Sequence, residues 1–170
     1  WVAAAGEHTL TANVDDINRF AEGDENNNVL NRVFQAYARG YAVNSGGPAS
    51  GRFSADAYWT GSANTFAVTN LLDSTGITNP APSQVYQTER WGNSAYSFPD
   101  LVSGTNYTVR LHFAEISPSV SNSGDRRFNV ALNGKPVLTD FDICFAAGGK
   151  FRALTRTFYC LPDAEGKITI

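Results

Sequence analysis

The chain has 170 residues, enough for one ample hydrophobic core or for one domain with a fragment of another. Charged residues make up 17% and hydrophobic ones 42%, and no apolar run reaches the length of a membrane span, which excludes a wholly disordered chain and a helical membrane protein. A net charge of -3 and a pI near 5.3 argue against a nucleic-acid partner held through its phosphates, since that binding draws on clustered Lys and Arg. The adjacent pair Arg126-Arg127 reads as a solvated turn. Aromatics at 12%, 15 Gly and no Met suit a β-rich extracellular binding module, and nothing at Trp1 resembles a signal peptide with a basic start.

The first segment alternates His8, Leu10, Ala12 and Val14 against Thr9, Thr11 and Asn13, which predicts a strand ending in a turn at Asp15-Asp16. INRFAE then reads as a second strand and GDENNN as a polar loop. Two strands bury too little apolar surface to stand as a domain. The run TLTANVDDINRFAEGDENNN resembles the closing strands of a bacterial CARDB domain, an immunoglobulin-like module. That resemblance implies a chain that begins inside a larger protein, with 1–40 a terminal hairpin and linker. Asp15, Asp16, Glu22 and Asp24 offer oxygen ligands for a structural calcium ion, but their spacing is not that of an EF-hand loop, and a solvated turn is the competing reading.

Val29 to Gly40 has Val29, Val33, Phe34 and Tyr37 at helix-like spacing and is read as a link with a short helical turn. The Gly46-Gly47 pair predicts a sharp turn or a close backbone approach. Tyr58 and Trp59 follow in a Gly/Ser setting as a candidate aromatic platform, of which at most one ring should be fully available, because neighbouring strand residues face opposite ways. From 62 to 83 the chain reads as loop, with one short strand at FAVTNLL.

The clearest strand covers Tyr107 to Ala114, with Tyr107, Val109, Leu111 and Phe113 on one side and Thr108, Arg110, His112 and Ala114 on the other. Before it, VYQTERW and AYSFP read as two strands broken at Gly92-Asn93, which leaves Trp91 at a strand end where it can serve as a stacking platform for a sugar ring. RFNVALNGKPVLTDFDI turns at Asn133-Gly134, the strongest hairpin signal in the chain. KFRALTRTFYCL is a further strand and GKITI starts another. Cys144 and Cys160 both fall on strand-like runs. A structural disulfide is the favoured reading and two buried thiols the alternative. Nine or ten short strands without alternating helices make an all-β, jelly-roll-like antiparallel β-sandwich.

NSGGP at Asn44 to Pro48, VYQTERWGN at Val85 to Asn93, and LHFAEI followed by FNVALNGKPVLTDFDI stand in the order of a malectin or malectin-like carbohydrate-binding module, which this chain resembles over 41–170. The resemblance implies a sandwich that binds glucose-containing saccharides in loops at one end and performs no reaction. It carries Trp91 onto the family's ligand-stacking tyrosine and Tyr58 onto another binding tyrosine, with Trp59 and Asn44 as weaker candidates. Where the family has adjacent aromatics after HFAE, this chain has Ser117 and Pro118. The family's late binding aspartate has no counterpart before Ile170, and Asp15 or Asp16 of the first segment is one candidate to fill that place.

Glu89 and Glu115 invite a glycosidase reading, but each is better explained as an ion pair or hydrogen bond that fixes a loop. His112 reads as structural rather than catalytic. No GxSxG, HExxH or phosphate-binding glycine loop is present. The expectation is therefore a non-catalytic module that binds a polysaccharide or oligosaccharide, with no cofactor required, no nucleic acid and no membrane. It would be secreted or at the cell surface, of bacterial type, and accessory to a glycoside hydrolase catalytic domain of the same polypeptide. A structural or protein-interaction spacer in a multidomain secreted protein is the alternative.

Overall fold

A computed structural model describes residues 6–13, 29–36 and 40–170. The chain divides into two compact units, Trp1–Arg39 and Gly40–Ile170. In the first, β1 (Gly6–Asn13) pairs antiparallel with β2 (Val29–Ala36), from Gly6 opposite Ala36 to Asn13 opposite Val29. Thr11 Oγ1 donates to Asn31 Oδ1 across the pair at 2.6 Å. The helical turn expected after Val29 is thus a strand: its β-branched Val29 and Val33 suit a pleated ribbon, and β1 supplies its ladder. The proposed strand INRFAE and the calcium candidates Asp15, Asp16, Glu22 and Asp24 lie outside the described residues.

The second unit is a mostly antiparallel β-sandwich. Its strands are β3 (Trp59–Ala67), β4 (Thr88–Phe98), β5 (Tyr107–Ala114), β6 (Phe128–Leu132), β7 (Lys135–Phe141), β8 (Ala153–Cys160) and β9 (Ile168–Thr169). They form the sheets β3-β4-β9, β5-β8 and β6-β7. The hairpin turn between β6 and β7 is at Asn133-Gly134, both with positive φ, as the sequence signal required. Asn133 also ties the turn to β9, since its Oδ1 accepts from the Thr169 amide at 2.7 Å.

Three local readings change. VYQTERW is not one strand, because Ser83–Tyr86 form a short helix, α1, and β4 starts only at Thr88. Gly92 does not break β4: with φ of 104° it stays in the ladder opposite Ala63, and the strand runs unbroken to Phe98. Cys144 lies on a helix, α2 (Ile143–Ala147), rather than on a strand. Asp142 caps α2 by accepting from the Phe145 amide, and Gly148 closes it in the left-handed region. Cys160 ends β8, and both thiols are free, so the expected disulfide is not formed.

Strand β5 is covered on both sides. One face carries Phe113 into a cluster with Phe128 and Phe141, centroids 5.3 to 5.9 Å apart. The face the alternation leaves polar is also packed, by Phe53 and Tyr86 against His112. The Tyr86 hydroxyl and His112 Nδ1 share a hydrogen bond of 2.9 Å, and Tyr86 belongs to the core with Phe53 and Ala81. Burial, helped by the neighbouring Arg110 and Arg52 charges, pulls the His112 pKa down to about 4.

The NSGGP turn lies directly against β4. A Cβ on Gly46 would stand 2.2 Å from the Glu89 carbonyl oxygen, and one on Gly47 would stand 2.4 Å from Asn44 Nδ2. Asn44 is 0% exposed, which corrects its reading as a ligand contact. Its Nδ2 donates to the Pro48 carbonyl at 2.8 Å, and its Oδ1 accepts from Thr88 Oγ1 at 2.7 Å. No saccharide can reach it.

Asn44→Ala should therefore lower the unfolding free energy by about 1–3 kcal/mol in urea titrations, because it removes the two hydrogen bonds, to the Pro48 carbonyl and from the Thr88 hydroxyl, that a fully buried amide makes. An unchanged midpoint would refute that role. Stability should also depend on pH through His112. The unfolded imidazole takes up a proton near 6.5 and the folded one only near 4, so its contribution is complete above pH 6.5 and is lost as pH falls towards 4. The loss should be on the order of 2 kcal/mol, and His112→Gln should flatten that part of the stability-pH profile.

Candidate functional site

Trp91 stands on β4 opposite Asn64 and is 49% exposed. Strand alternation puts Glu89 on the same face of β4, two residues upstream. Glu89 is bound by Arg126, whose Nη2 lies 3.1 Å from Glu89 Oε2. The same Nη2 is 2.8 Å from Glu115 Oε2, and Arg126 Nε donates to that oxygen at 2.9 Å. Glu115 is 1% exposed. Its other oxygen accepts from the Ser117 amide at 2.9 Å, so every oxygen of this carboxylate has a donor. One guanidinium thereby fastens the strand beneath Trp91 to the loop that follows β5. Burial lowers the pKa of Arg126, but the two carboxylates outweigh it and hold the guanidinium charged.

That loop carries Ser117 and Pro118 at the places where the sequence comparison expects aromatics. Lys150 Nζ donates to the Ser117 carbonyl at 2.6 Å, and the hydroxyls of Ser117 and Ser119 are 2.8 Å apart. Here the rim offers hydroxyls, a carbonyl and an ammonium group instead of ring faces. It can orient a polyhydroxylated ligand but cannot sandwich it. Arg126, read from sequence as part of a solvated turn, is the residue that sequence reasoning missed. The only signal was two unexplained glutamates and one nearby arginine.

Tyr58 and Trp59 belong to a second aromatic surface. The Arg90 guanidinium lies over the Trp59 ring, 3.6 Å from its centroid. Asp56 holds that guanidinium in a buried ion pair and accepts from the Tyr96 hydroxyl at 2.7 Å, while Ser45 Oγ meets the same hydroxyl at 2.7 Å. Burial first, opposed by the Ser45 hydrogen bond and reinforced by the hydrogen bond and charge of Asp56, pushes the Tyr96 pKa up to about 12, so it remains a neutral donor. One face of Trp59 is thus taken by Arg90. Tyr58, with φ of 67°, packs edge-on against Tyr41 at 5.1 Å and also meets Phe98. Both rings remain partly open to solvent.

The structure does not unite these candidates. Trp59 pairs with Tyr96 and Asn64 with Trp91, five positions along the ladder, and an odd separation places the two tryptophans on opposite faces of the β3-β4 ribbon. Glu89 and Glu115 are engaged by one arginine rather than set across a reacting bond, which accounts for both carboxylates as structural groups. Among the described residues, no group of three or more His, Cys, Asp or Glu is placed to hold a metal ion, and no helix is long and apolar enough to cross a membrane.

A family profile described as "Malectin domain" matches residues 39–169. Among curated proteins the chain is similar to Receptor-like protein 4 of Arabidopsis thaliana, 38% identical over 72 residues that make up 42% of this chain and 11% of that protein. The chain spans about a tenth of the length of the curated relatives it matches. Among solved structures it resembles the ANXUR2 extracellular domain of Arabidopsis thaliana, with a TM-score of 0.67, 21% identity, and 78% of this chain and 42% of that chain covered. It also resembles a Bacteroides uniformis beta-glucuronidase, with a TM-score of 0.56, 18% identity, and 86% of this chain but 19% of that chain covered. At these identities the structural likeness concerns the fold alone.

Removing the shared cation should be costly. Arg126→Ala should destabilise the chain by about 3–5 kcal/mol, because the buried Glu115 loses its cation, and the variant should recover part of that loss when Glu115→Gln is added. Urea unfolding of the two variants measures both effects. A cost below about 1 kcal/mol, the size of an exposed pair, would show that the interaction fixes nothing.

Proposed function

Because the chain belongs to the malectin domain family over residues 39–169, we propose that it is a non-catalytic module that captures a glucose-containing polysaccharide or oligosaccharide on the Trp91 indole. The observation that carries this reading is a half-exposed tryptophan on a strand that a partly buried ion pair pins from the same face, two residues away. A sugar ring presents C–H groups on one face, and a fixed indole offers a flat apolar surface that loses little entropy on contact. The Ser117 and Ser119 hydroxyls and Lys150 supply polar groups on the loop tied to the same strand. A single stacking ring with polar neighbours suits modest affinity for one sugar unit, multiplied along a polymer.

We read the module as an accessory to a larger secreted or cell-surface protein, with the catalytic work of a glycoside hydrolase done elsewhere in the polypeptide. In this reading the β1-β2 unit is the tail of a preceding immunoglobulin-like module. The extracellular placement of similar domains supports it. A second reading, a protein-interaction module, is favoured by the Tyr58-Trp59 surface, because aromatics stiffened by a buried Arg90-Asp56 pair also make good anchors for a protein.

Affinity electrophoresis in gels containing laminarin, xyloglucan, amylopectin or galactan separates the two. A glucan gel should retard the wild-type chain, Trp91→Ala should weaken retardation by about tenfold or more, and Tyr58→Ala should retain most of it. If no polysaccharide retards the wild type, the saccharide reading falls and the protein-interaction reading takes its place.

A further inference from the structure

A cleft of about 570 Å³ lies between β7 and α2, lined by Gly124, Arg127, Asp140, Phe141, Phe145 and Arg156 among others, and no residue from 85 to 119 contributes to it. On its rim Phe145 is 76% exposed, although the neighbouring residues Ile143 and Cys144 of the same helix are buried. Leaving a phenyl ring in water forgoes about 1.5–3 kcal/mol of burial, so its placement is informative. The ring is held on a well-fixed element. Asp142 accepts from the amides of Phe145 at 2.8 Å and Gly124 at 2.5 Å, and Gly148 closes the other end of the helix. Beside it, the Arg156 guanidinium rests over Phe141, 5.4 Å from the ring centroid. Neither Arg127 nor Arg156 is in an ion pair among the described residues, and Asp140 shares the same lining.

The formal charges of the lining cancel, with Arg127 and Arg156 against Asp140 and Asp142. A site with donors, acceptors and a flat ring but no net charge is matched to an uncharged ligand rich in hydroxyls. We propose that the β7-α2 cleft is a second saccharide site for a neutral pyranose, which stacks on Phe145 while Asp140 accepts from its hydroxyls and Arg127 and Arg156 donate to them. The proposal rests on the family's carbohydrate-binding character but not on Trp91. Two sites on one small domain would let it grip a polymer at two points, which raises avidity without any new contact.

Amide and indole NMR spectra of the full chain, titrated separately with laminaritetraose, cellotetraose, maltotetraose and tetragalacturonate, test this. At least one of the three neutral sugars should shift the Gly124 and Ala146 amides, and should do so equally in Trp91→Ala. Phe145→Ala, a surface change, should weaken that response by about tenfold while the Trp91 indole response persists. Silent Gly124 and Ala146 amides beside a responding indole would overturn the second site and leave the first intact. Responding amides beside a silent indole would do the reverse. A response of these amides to tetragalacturonate alone would overturn the neutral ligand.

Discussion

The second unit depends on how one arginine is shared. Glu115 is almost wholly removed from solvent, and a carboxylate there is tolerable only with a cation and a full set of donors. Arg126 supplies the cation, the Ser117 amide supplies a further donor, and the remaining reach of the guanidinium goes to Glu89. Two segments distant in sequence, β4 and the connection from β5 to β6, are therefore fixed to one charge. Nonpolar contacts can slide by fractions of an ångström. A buried forked ion pair holds its partners in one geometry.

The same device recurs on the other face of the ribbon, where Asp56 gathers Arg90 and Tyr96, and Ser45 reaches the tyrosine from the NSGGP turn. Asn44 does for that turn what Glu115 does for the loop, with its amide spent on Pro48 and Thr88. Among the described residues, no buried side-chain nitrogen or oxygen lacks a partner. This satisfied polar framework leaves Trp91 and Phe145 projecting from strands and helices that hold still. Rigid aromatic surfaces of that kind bind flat ligands at low entropic cost.

Much of this was legible in the chain itself. The alternation of 107–114, the Asn133-Gly134 turn and the ordered motifs YQTER, HFAEI and NGK point to a malectin sandwich, and the family match bears them out. What escaped was decided by partners remote in sequence. The polar face of β5 looked solvated because nothing in 107–114 announces that Phe53 and Tyr86 cover His112. Gly92 looked like a break because a left-handed glycine inside a ladder reads locally as a turn. Cys144 looked like strand because a five-residue helix is too short to show a period, although Asp142 and Gly148 were its caps in plain sight. Asn44 looked available because asparagine in a glycine-rich turn is ordinarily exposed, and only the close approach of β4 seals it. Whether the Tyr58-Trp59 platform and Trp91 share a face was not legible, because ladder register, which divides the two tryptophans between opposite faces, cannot be read from either strand alone.

The account turns on the Trp91 ring being the surface on which a sugar lies. Intermolecular nuclear Overhauser contacts between the bound glucan fragment and the indoles measure this directly. The account predicts contacts from pyranose C–H protons to the Trp91 ring and none to Trp59. Contacts to Trp59 alone, or a bound sugar with no contact to Trp91, would contradict it.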